Sequence, residues 1–87
     1  MVETWIQVGG RWGLNGHESA RLALSAAQFG SDIVCAANGR FVNAKDVMSV
    51  MSLRARRGTL VRVLATGPDE AAALQALSDI LRTQQSC

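Results

Sequence analysis

The sequence has few of the residues that disulfide frameworks, metal sites and catalytic centres require. Its 87 residues include two cysteines, Cys35 and Cys87, and one histidine, His17. Two cysteines do not make a disulfide framework, and Cys35 lies in an apolar stretch where it is interpreted as a small buried hydrophobic residue. No paired carboxylates and no Cys/His cluster have the spacing of a metal site or an acid–base pair. We therefore expect no metal, no cofactor and no independent enzymatic activity.

Long apolar runs and a strong net charge are also lacking. No apolar run approaches the ~20 residues that span a bilayer, and no basic-plus-apolar signal begins the chain. The net charge is +2, from nine basic and seven acidic residues, which is too small to indicate nucleic-acid binding. The cluster Arg54, Arg56 and Arg57 is interpreted as an exposed loop end, with an anion or partner contact as the alternative. These features predict a cytoplasmic protein without membrane insertion or a nucleic-acid partner.

What the chain does contain is typical of one small folded domain. Apolar residues make up 48% and charged residues 18% of the sequence, as in globular proteins. A chain of this length supports one hydrophobic core and is too short for two. No repeat, linker or low-complexity segment divides it, so we expect a single domain over residues 1–87.

Local patterns predict the first strand and helix. A period of two, in which Val2, Thr4, Ile6 and Val8 share one face, indicates a strand, which a pair of glycines, Gly9-Gly10, ends. Asn15 followed three residues later by Glu18 is a capping-box pattern. We expect helix one to run from there to about Phe29, with Gly30 in the left-handed conformation just after it.

The second half of the chain supplies three more strands and two helices. Asn38-Gly39 between residues 31–37 and 40–44 predicts a hairpin with a type I′ turn. Asp46 can cap a short helix, residues 59–66 form a fourth strand, and Gly67 to Glu70 begin a last helix whose inner face is Leu74, Leu77 and Leu81. The order β-α-β-β-α-β-α predicts an α+β fold, a two-layer open-faced sandwich of four antiparallel strands with three helices on one face.

Several short motifs, each weak alone, occur in an order and spacing that together are fairly specific. In chain order they are Gly13-Leu14, Phe29, Ser31-Asp32-Ile33, Asn38-Gly39, Ala44-Lys45, residues 47–53, Gly58-Thr59 and Gly67-x-Asp-Glu-Ala. Through these motifs essentially the whole chain resembles the HPr family, the histidine-containing phosphocarriers of the bacterial sugar phosphotransferase system.

The resemblance implies that the phosphoacceptor has been lost. In the family the active segment reads roughly Gly-Leu-His-Ala-Arg-Pro-Ala, and its histidine takes phosphate from enzyme I and delivers it to sugar permease components. Here the histidine position is Asn15, the arginine position is His17 and the proline position is Glu18. A carboxamide has no basic nitrogen to relay phosphate. A rival alignment would make His17 the acceptor, but it removes two residues before Phe29 and turns the buried helix face by about 200°.

Asp46 is a second departure from the family. Many Gram-positive relatives carry a serine there that a regulatory kinase phosphorylates. The aspartate is interpreted mainly as an ordinary helix N-cap. The alternative is a fixed mimic of phosphoserine, with about one negative charge where phosphoserine has nearly two.

Two apolar surfaces are predicted. The first would bind protein partners, as the resemblance implies, with ordinary surface exposure as the alternative, and comprises Asn15, His17, Ala20, Leu24, Ala27, Val47, Met48 and Met51. If Ile6, Val8, Ile33, Cys35, Val42, Val61 and Val63 face the helices, the opposite sheet face carries Trp5, Val34, Ala36, Phe41, Leu60 and Leu64. Because such a contiguous patch is rare on monomers, a second copy of the chain or another protein is expected to cover it, with a merely apolar exposed surface as the alternative.

Three functions remain open at this point. The first is a regulatory or decoy protein that binds phosphotransferase components or a transcriptional regulator and carries no phosphate; a catabolite-repression relative in bacilli has glutamine at the histidine position. The second is a structural or assembly subunit that docks through the open sheet face. The third is an active phosphocarrier that uses His17.

Overall fold

The fold has the element order that the sequence predicts. The computed structural model describes residues 1–9 and 13–83; Gly10 and Cys87 lie outside the described residues. The elements are β1 (Val2–Gln7), α1 (Gly16–Ala26), β2 (Asp32–Ala37), β3 (Arg40–Asn43), α2 (Val47–Ser52), β4 (Leu60–Thr66) and α3 (Glu70–Thr83). Each of the four predicted strands therefore differs by one residue at one end, which is ordinary variation at element boundaries.

The four strands form one antiparallel sheet in the order β1-β4-β2-β3. A single row of paired residues crosses the whole sheet, because Trp5 pairs with Arg62, Arg62 with Ala36, and Ala36 with Phe41. The side chains of this row lie on the open face of the sheet, and the three helices cover the opposite face. This arrangement confirms the predicted α+β class, in which one face of the sheet stays open.

The core lies between the sheet and the helices. Six of the seven predicted inward strand residues are buried and the seventh, Val42, is half-buried against them; helices α1 and α3 add Leu22, Leu77 and Leu81 from their inner faces. Each fully buried aliphatic side chain of this kind stabilises the fold by roughly 1.5–3 kcal/mol. Burial raises the pKa of the Cys35 thiol to about 12, so this residue is an inert part of the core.

The β2–β3 hairpin has the predicted turn and an additional contact. Asn38 and Gly39 have φ values of 51° and 79°, which confirms a type I′ turn. The Asn38 side chain also donates from Nδ2 to the carbonyl oxygens of Leu53 (2.8 Å) and Arg54 (3.3 Å). One residue therefore makes the turn and caps the carbonyl end of α2.

The predicted end of helix one is wrong in two respects. The α-helix ends at Ala26. A tighter turn follows, in which the Phe29 N–H donates to the carbonyl of Ala26, three residues earlier, at 3.2 Å. Gly30 does not adopt a positive φ. Its N–H donates instead to Oδ2 of Asp69 at 3.0 Å, so a side chain at the start of α3 orders this turn and no left-handed glycine is needed.

Candidate functional site

The start of helix α1 is positioned by a glycine packed against another backbone segment. Gly13 has a φ of 67°, and a Cβ built on it would lie 2.6 Å from the Ala55 carbonyl oxygen. The next residue, Leu14, donates its N–H to that same oxygen at 2.8 Å. The segment after α2 therefore holds the turn that leads into α1.

Asn15 is the N-cap of α1. Its backbone is extended, and its Oδ1 accepts a hydrogen bond from the N–H of Glu18 at 2.9 Å. Its carbonyl accepts the first helical hydrogen bond, from Ser19, at 2.8 Å. The side chain is exposed at the surface. This geometry confirms the forward half of the predicted capping box.

The reverse half of the capping box does not form. The Asn15 N–H donates to the Gly13 carbonyl at 3.1 Å, and Glu18 turns inward, with 1% of its surface exposed. Its Oε2 accepts from Nη1 of Arg21 at 3.3 Å, while Oε1 has no hydrogen-bond partner among residues 1–9 and 13–83. A buried carboxylate in the first turn interacts favourably with the helix dipole. The Glu18 carboxylate therefore lies beneath the helix surface.

His17 is the second residue of α1 and is exposed. Within the part of the chain that the structure describes, its imidazole makes no hydrogen bond or ion pair. A catalytic or phosphoacceptor histidine usually has one ring nitrogen oriented by a partner. No such partner is provided here by the described side chains.

The predicted partner surface is formed where α1 and α2 touch. Leu24 is 68% and Met48 73% exposed. Met51 is also exposed, and its Cε lies 3.7 Å from a Cβ position built on Gly16, so the apolar surface reaches the start of α1. The remaining predicted members are Ala20 and Val47, half-buried, and Ala27, exposed. Six of the eight residues named from the sequence thus lie on two contacting helices, and the other two, Asn15 and Ala27, are the caps of α1.

Asp46 is the N-cap of α2, as predicted. Its Oδ1 accepts from the N–H of Met48 at 3.1 Å, and its Oδ2 accepts from the hydroxyl of Ser49 at 2.9 Å. The carboxylate is exposed. Both carboxylate oxygens therefore accept hydrogen bonds that stabilise the start of this short helix.

The open sheet face carries a charged residue, Arg62, among the apolar side chains that the sequence predicts there. Trp5, Phe41 and Leu60 are 52%, 68% and 54% exposed; Val34 and Leu64 are half-buried and Ala36 is buried. Arg62 lies between Trp5 and Ala36 in the paired row. Its guanidinium lies 5.2 Å from the Trp5 ring centroid, and its Nε donates to Oε2 of Glu3 at 2.8 Å. The alternation Leu60, Arg62, Leu64 was the available signal for this charge.

Two further absences concern the described residues only. In residues 1–9 and 13–83, no three His, Cys, Asp or Glu side chains are grouped so that they could hold a metal ion. Over the same residues, no helix has the length and apolar character needed to cross a bilayer.

Comparisons with known proteins place this geometry in context. Residues 2–83 match the family model described as PTS HPr component phosphorylation site. The phosphocarrier protein HPr of Xylella fastidiosa (strain Temecula1) is 38% identical over 84 residues, covering 97% of this chain and 94% of that protein. The crystal structure of phosphocarrier protein HPr from Bacillus anthracis has a TM-score of 0.89 and 32% identity, covering 92% of this chain and 95% of that one. Crh, a Bacillus subtilis catabolite repression protein whose crystal structure is an intertwined, domain-swapped dimer, has a TM-score of 0.73 and 36% identity, with 94% of each chain covered.

Proposed function

Since the chain belongs to the HPr family of the phosphotransferase system, we propose that it binds protein partners as a regulatory or decoy member and carries no phosphoryl group. The observation that carries the proposal is Asn15. This residue occupies the N-cap of α1 with its amide oxygen bonded to the N–H of Glu18 at 2.9 Å. By the resemblance in sequence, it stands where the family has its phosphoacceptor histidine.

The chemistry of an amide supports this reading. The Asn15 nitrogen lone pair is delocalised into the carbonyl, so it is neither basic nor nucleophilic, and its oxygen is engaged by the helix. A phosphocarrier needs a nucleophile whose phosphorylated form is stabilised by donors and positive charge. His17 has no orienting partner among the described side chains, and it follows the helix start instead of preceding it.

Glu18 adds an electrostatic argument. The positive end of a helix dipole is a ready site for an anion. In α1 that field already acts on a carboxylate of the protein, which is buried in the first turn and bonded to Arg21 at 3.3 Å. A second negative group at the same helix end would be repelled by the first. The helix start is therefore poorly suited to hold phosphate.

The partner surface on α1 and α2 supports a binding role. Leu24, Met48 and Met51 are exposed on two helices that contact each other. Exposed Met side chains adapt to differently shaped partners, and exposed apolar patches often mark protein interfaces. The similarity to Crh, which is described as a catabolite repression protein, favours a regulatory partner, either a phosphotransferase component or a transcriptional regulator.

Phosphorylation tests the chemical part of the proposal. The protein is incubated with phosphoenolpyruvate and enzyme I, with an ordinary phosphocarrier HPr in the same reaction, and intact masses are measured under neutral conditions. We expect a phosphoryl adduct on the ordinary carrier and none on this chain. Since His17 is the one histidine in the sequence, the variant His17→Gln is the matched control. An adduct on the unmodified protein that this variant loses would overturn the proposal in favour of a His17 carrier.

Restoring the histidine is a sharper test. The variant Asn15→His is expected to accept phosphate poorly, because the Glu18 carboxylate remains and the family's arginine position is still His17. Adding His17→Arg and Glu18→Pro to the same chain should raise transfer well above that of the single variant. Full transfer by the single variant would mean that Glu18 has no electrostatic role.

Substitutions on the two surfaces separate regulation from assembly. Met48→Lys and Leu24→Lys should abolish binding to a phosphotransferase or regulatory partner, whereas Phe41→Lys on the open sheet face should leave it unchanged. All three residues are largely exposed, so the variants should fold. Loss of binding with Phe41→Lys alone would favour the second candidate function below.

A structural or assembly subunit is the second candidate, and the exposure of Trp5, Phe41 and Leu60 favours it. Sedimentation velocity over a wide concentration range tests whether a second copy covers this face. A concentration-dependent dimer that Phe41→Lys dissociates would support assembly. A monomer at the highest concentration would remove the homo-oligomer version of this candidate.

A further inference from the structure

A pocket outside the Asn15 site is lined by three arginines. It lies between the β2–β3 hairpin and the segment after α2 and has a volume of about 520 Å³. Arg40 comes from the first position of β3, and Arg54 and Arg56 come from the segment that follows α2. The other lining residues are Asn38, Ser52, Leu53 and Thr59. The described lining therefore holds three positive charges and no carboxylate.

These charges are not neutralised within the described protein. Arg40, Arg54 and Arg56 are exposed, and none of their guanidinium groups forms an ion pair with a residue in 1–9 or 13–83. By contrast, Arg21, Arg62 and Arg82 each lie within 3.5 Å of a carboxylate oxygen. Like charges that share one pocket repel each other. An anion in the pocket would remove this repulsion.

The backbone keeps Arg54 and Arg56 at the rim of the pocket. Arg54 has a φ of 52°, a left-handed conformation that few residues other than glycine adopt. The Asn38 side chain secures it by donating to the Leu53 and Arg54 carbonyls. The N–H of Arg56 donates to Oγ1 of Thr59 at 3.0 Å, which leaves the Thr59 hydroxyl proton able to donate to a ligand.

We propose that this pocket binds a small anion carrying two or more phosphate-type charges, such as a diphosphate or bisphosphorylated metabolite. Guanidinium forks match phosphate oxygens in pairs, so three of them suit a ligand with more than one phosphate group. The volume falls in the range of small-molecule pockets, roughly 300–1,000 Å³. The proposal does not depend on whether Asn15 carries phosphate.

Inorganic pyrophosphate is a suitable first probe. Titrated at about 0.15 M ionic strength into ¹⁵N-labelled protein, it should produce saturable amide shifts in residues 38–40 and 52–59 and fit a single site. Sulfate should bind more weakly, because it offers one tetrahedral group. The expected effect of Arg54→Gln or Arg56→Gln is about a tenfold weaker affinity, as for the loss of one charge-assisted contact.

Arg57 provides the matched control. It belongs to the same loop but lines a different depression, next to Gly9 and Arg82. Arg57→Gln removes the same net charge without removing a lining residue of the pocket. At about 0.15 M ionic strength the variant's affinity for pyrophosphate should therefore stay within about twofold of the parent. Amide spectra of all variants without ligand report whether each one is folded.

Three results would overturn the proposal. The first is equal weakening by Arg54→Gln and Arg57→Gln, which would indicate diffuse attraction to a basic loop. The second is a set of shifts spread over every arginine with no saturation. The third is no pyrophosphate binding together with loss of an acidic protein partner in the Arg54 and Arg56 variants, which would assign the arginines to a protein interface.

Discussion

The close packing of Gly13 leads to a prediction with a built-in control. The variant Gly13→Ala would place a methyl group 2.6 Å from the Ala55 carbonyl oxygen and 2.8 Å from the Arg56 Cα. A left-handed alanine costs about 1 kcal/mol more than glycine. Relief of the overlap requires the two segments to separate, which breaks the 2.8 Å bond from Leu14 to Ala55. That bond contributes about 1 kcal/mol, and lost packing adds about as much again. We therefore expect Gly13→Ala to lower the free energy of unfolding by about 3 kcal/mol in total.

Gly39→Ala isolates the conformational part of this cost. Gly39 has a φ of 79°, close to the 67° of Gly13, but a Cβ built on it meets no atom within 4 Å. The Gly39→Ala variant should therefore lose only about 1 kcal/mol of the free energy of unfolding. Urea unfolding followed by circular dichroism measures both free energies, provided that the slopes with denaturant agree. Equal losses in the two variants would refute the view that the segment after α2 supports the start of α1.

The remaining predictions concern caps and pH. Asn15→Ala should lower the free energy of unfolding by about 1 kcal/mol and Asn15→Asp should change it little, as measured by thermal unfolding. The hydrogen bond from the Ser31 hydroxyl, followed by that from the Gly30 N–H, lowers the pKa of Asp69 from 3.8. Its ionised form thus stabilises the fold above pH 3.8, and this stability is lost as the pH falls through the lower folded value; Asp69→Asn should flatten that acid limb of the unfolding curve. Asn38→Gly keeps the positive φ but removes two hydrogen bonds, so it should cost about 1 kcal/mol and speed amide exchange in α2.

The features predicted correctly from the sequence are those that two or three neighbouring residues determine. Asn38-Gly39 requires a type I′ turn, because both residues tolerate a positive φ. Asp46 and Asn15 precede apolar helical patterns, and both are N-caps. Alternation of apolar residues gave the inward face of the sheet, because the side-chain period of a strand is two.

The features that were missed depend on contacts between distant residues. The turn after α1 is held by Asp69, 39 positions after Gly30, so the local glycine signal was misleading. Glu18 has a capping-box position but turns into the protein. No local pattern distinguishes these outcomes, because each one is decided by a tertiary packing arrangement that overrides propensity.

Arg62 illustrates the same limit on the open sheet face. Alternation predicts that Arg62 lies on the same sheet face as its apolar neighbours. The sequence alone does not show which residues it faces on the adjacent strands. The register pairs it with Trp5, and its guanidinium bonds to Glu3. Stacking on the ring and pairing with the carboxylate let this arginine cover apolar surface. A dimer formed through this face would have to bury or displace that ion pair, which costs more than covering an apolar patch.

Under the proposed function, the start of α1 differs from a phosphate site in its charge as well as in its nucleophile. If only the histidine had changed, the helix end would still attract an anion, and a single substitution would restore transfer. The buried Glu18 carboxylate lies in the first turn of the same helix, where the dipole field is strongest. Its interaction with that field is lost if phosphate takes its place, and removal of this buried side chain leaves a cavity unless the replacement fills it. Under the proposed function we therefore expect amide and carboxylate to act together, so that phosphate transfer requires coordinated changes at both positions.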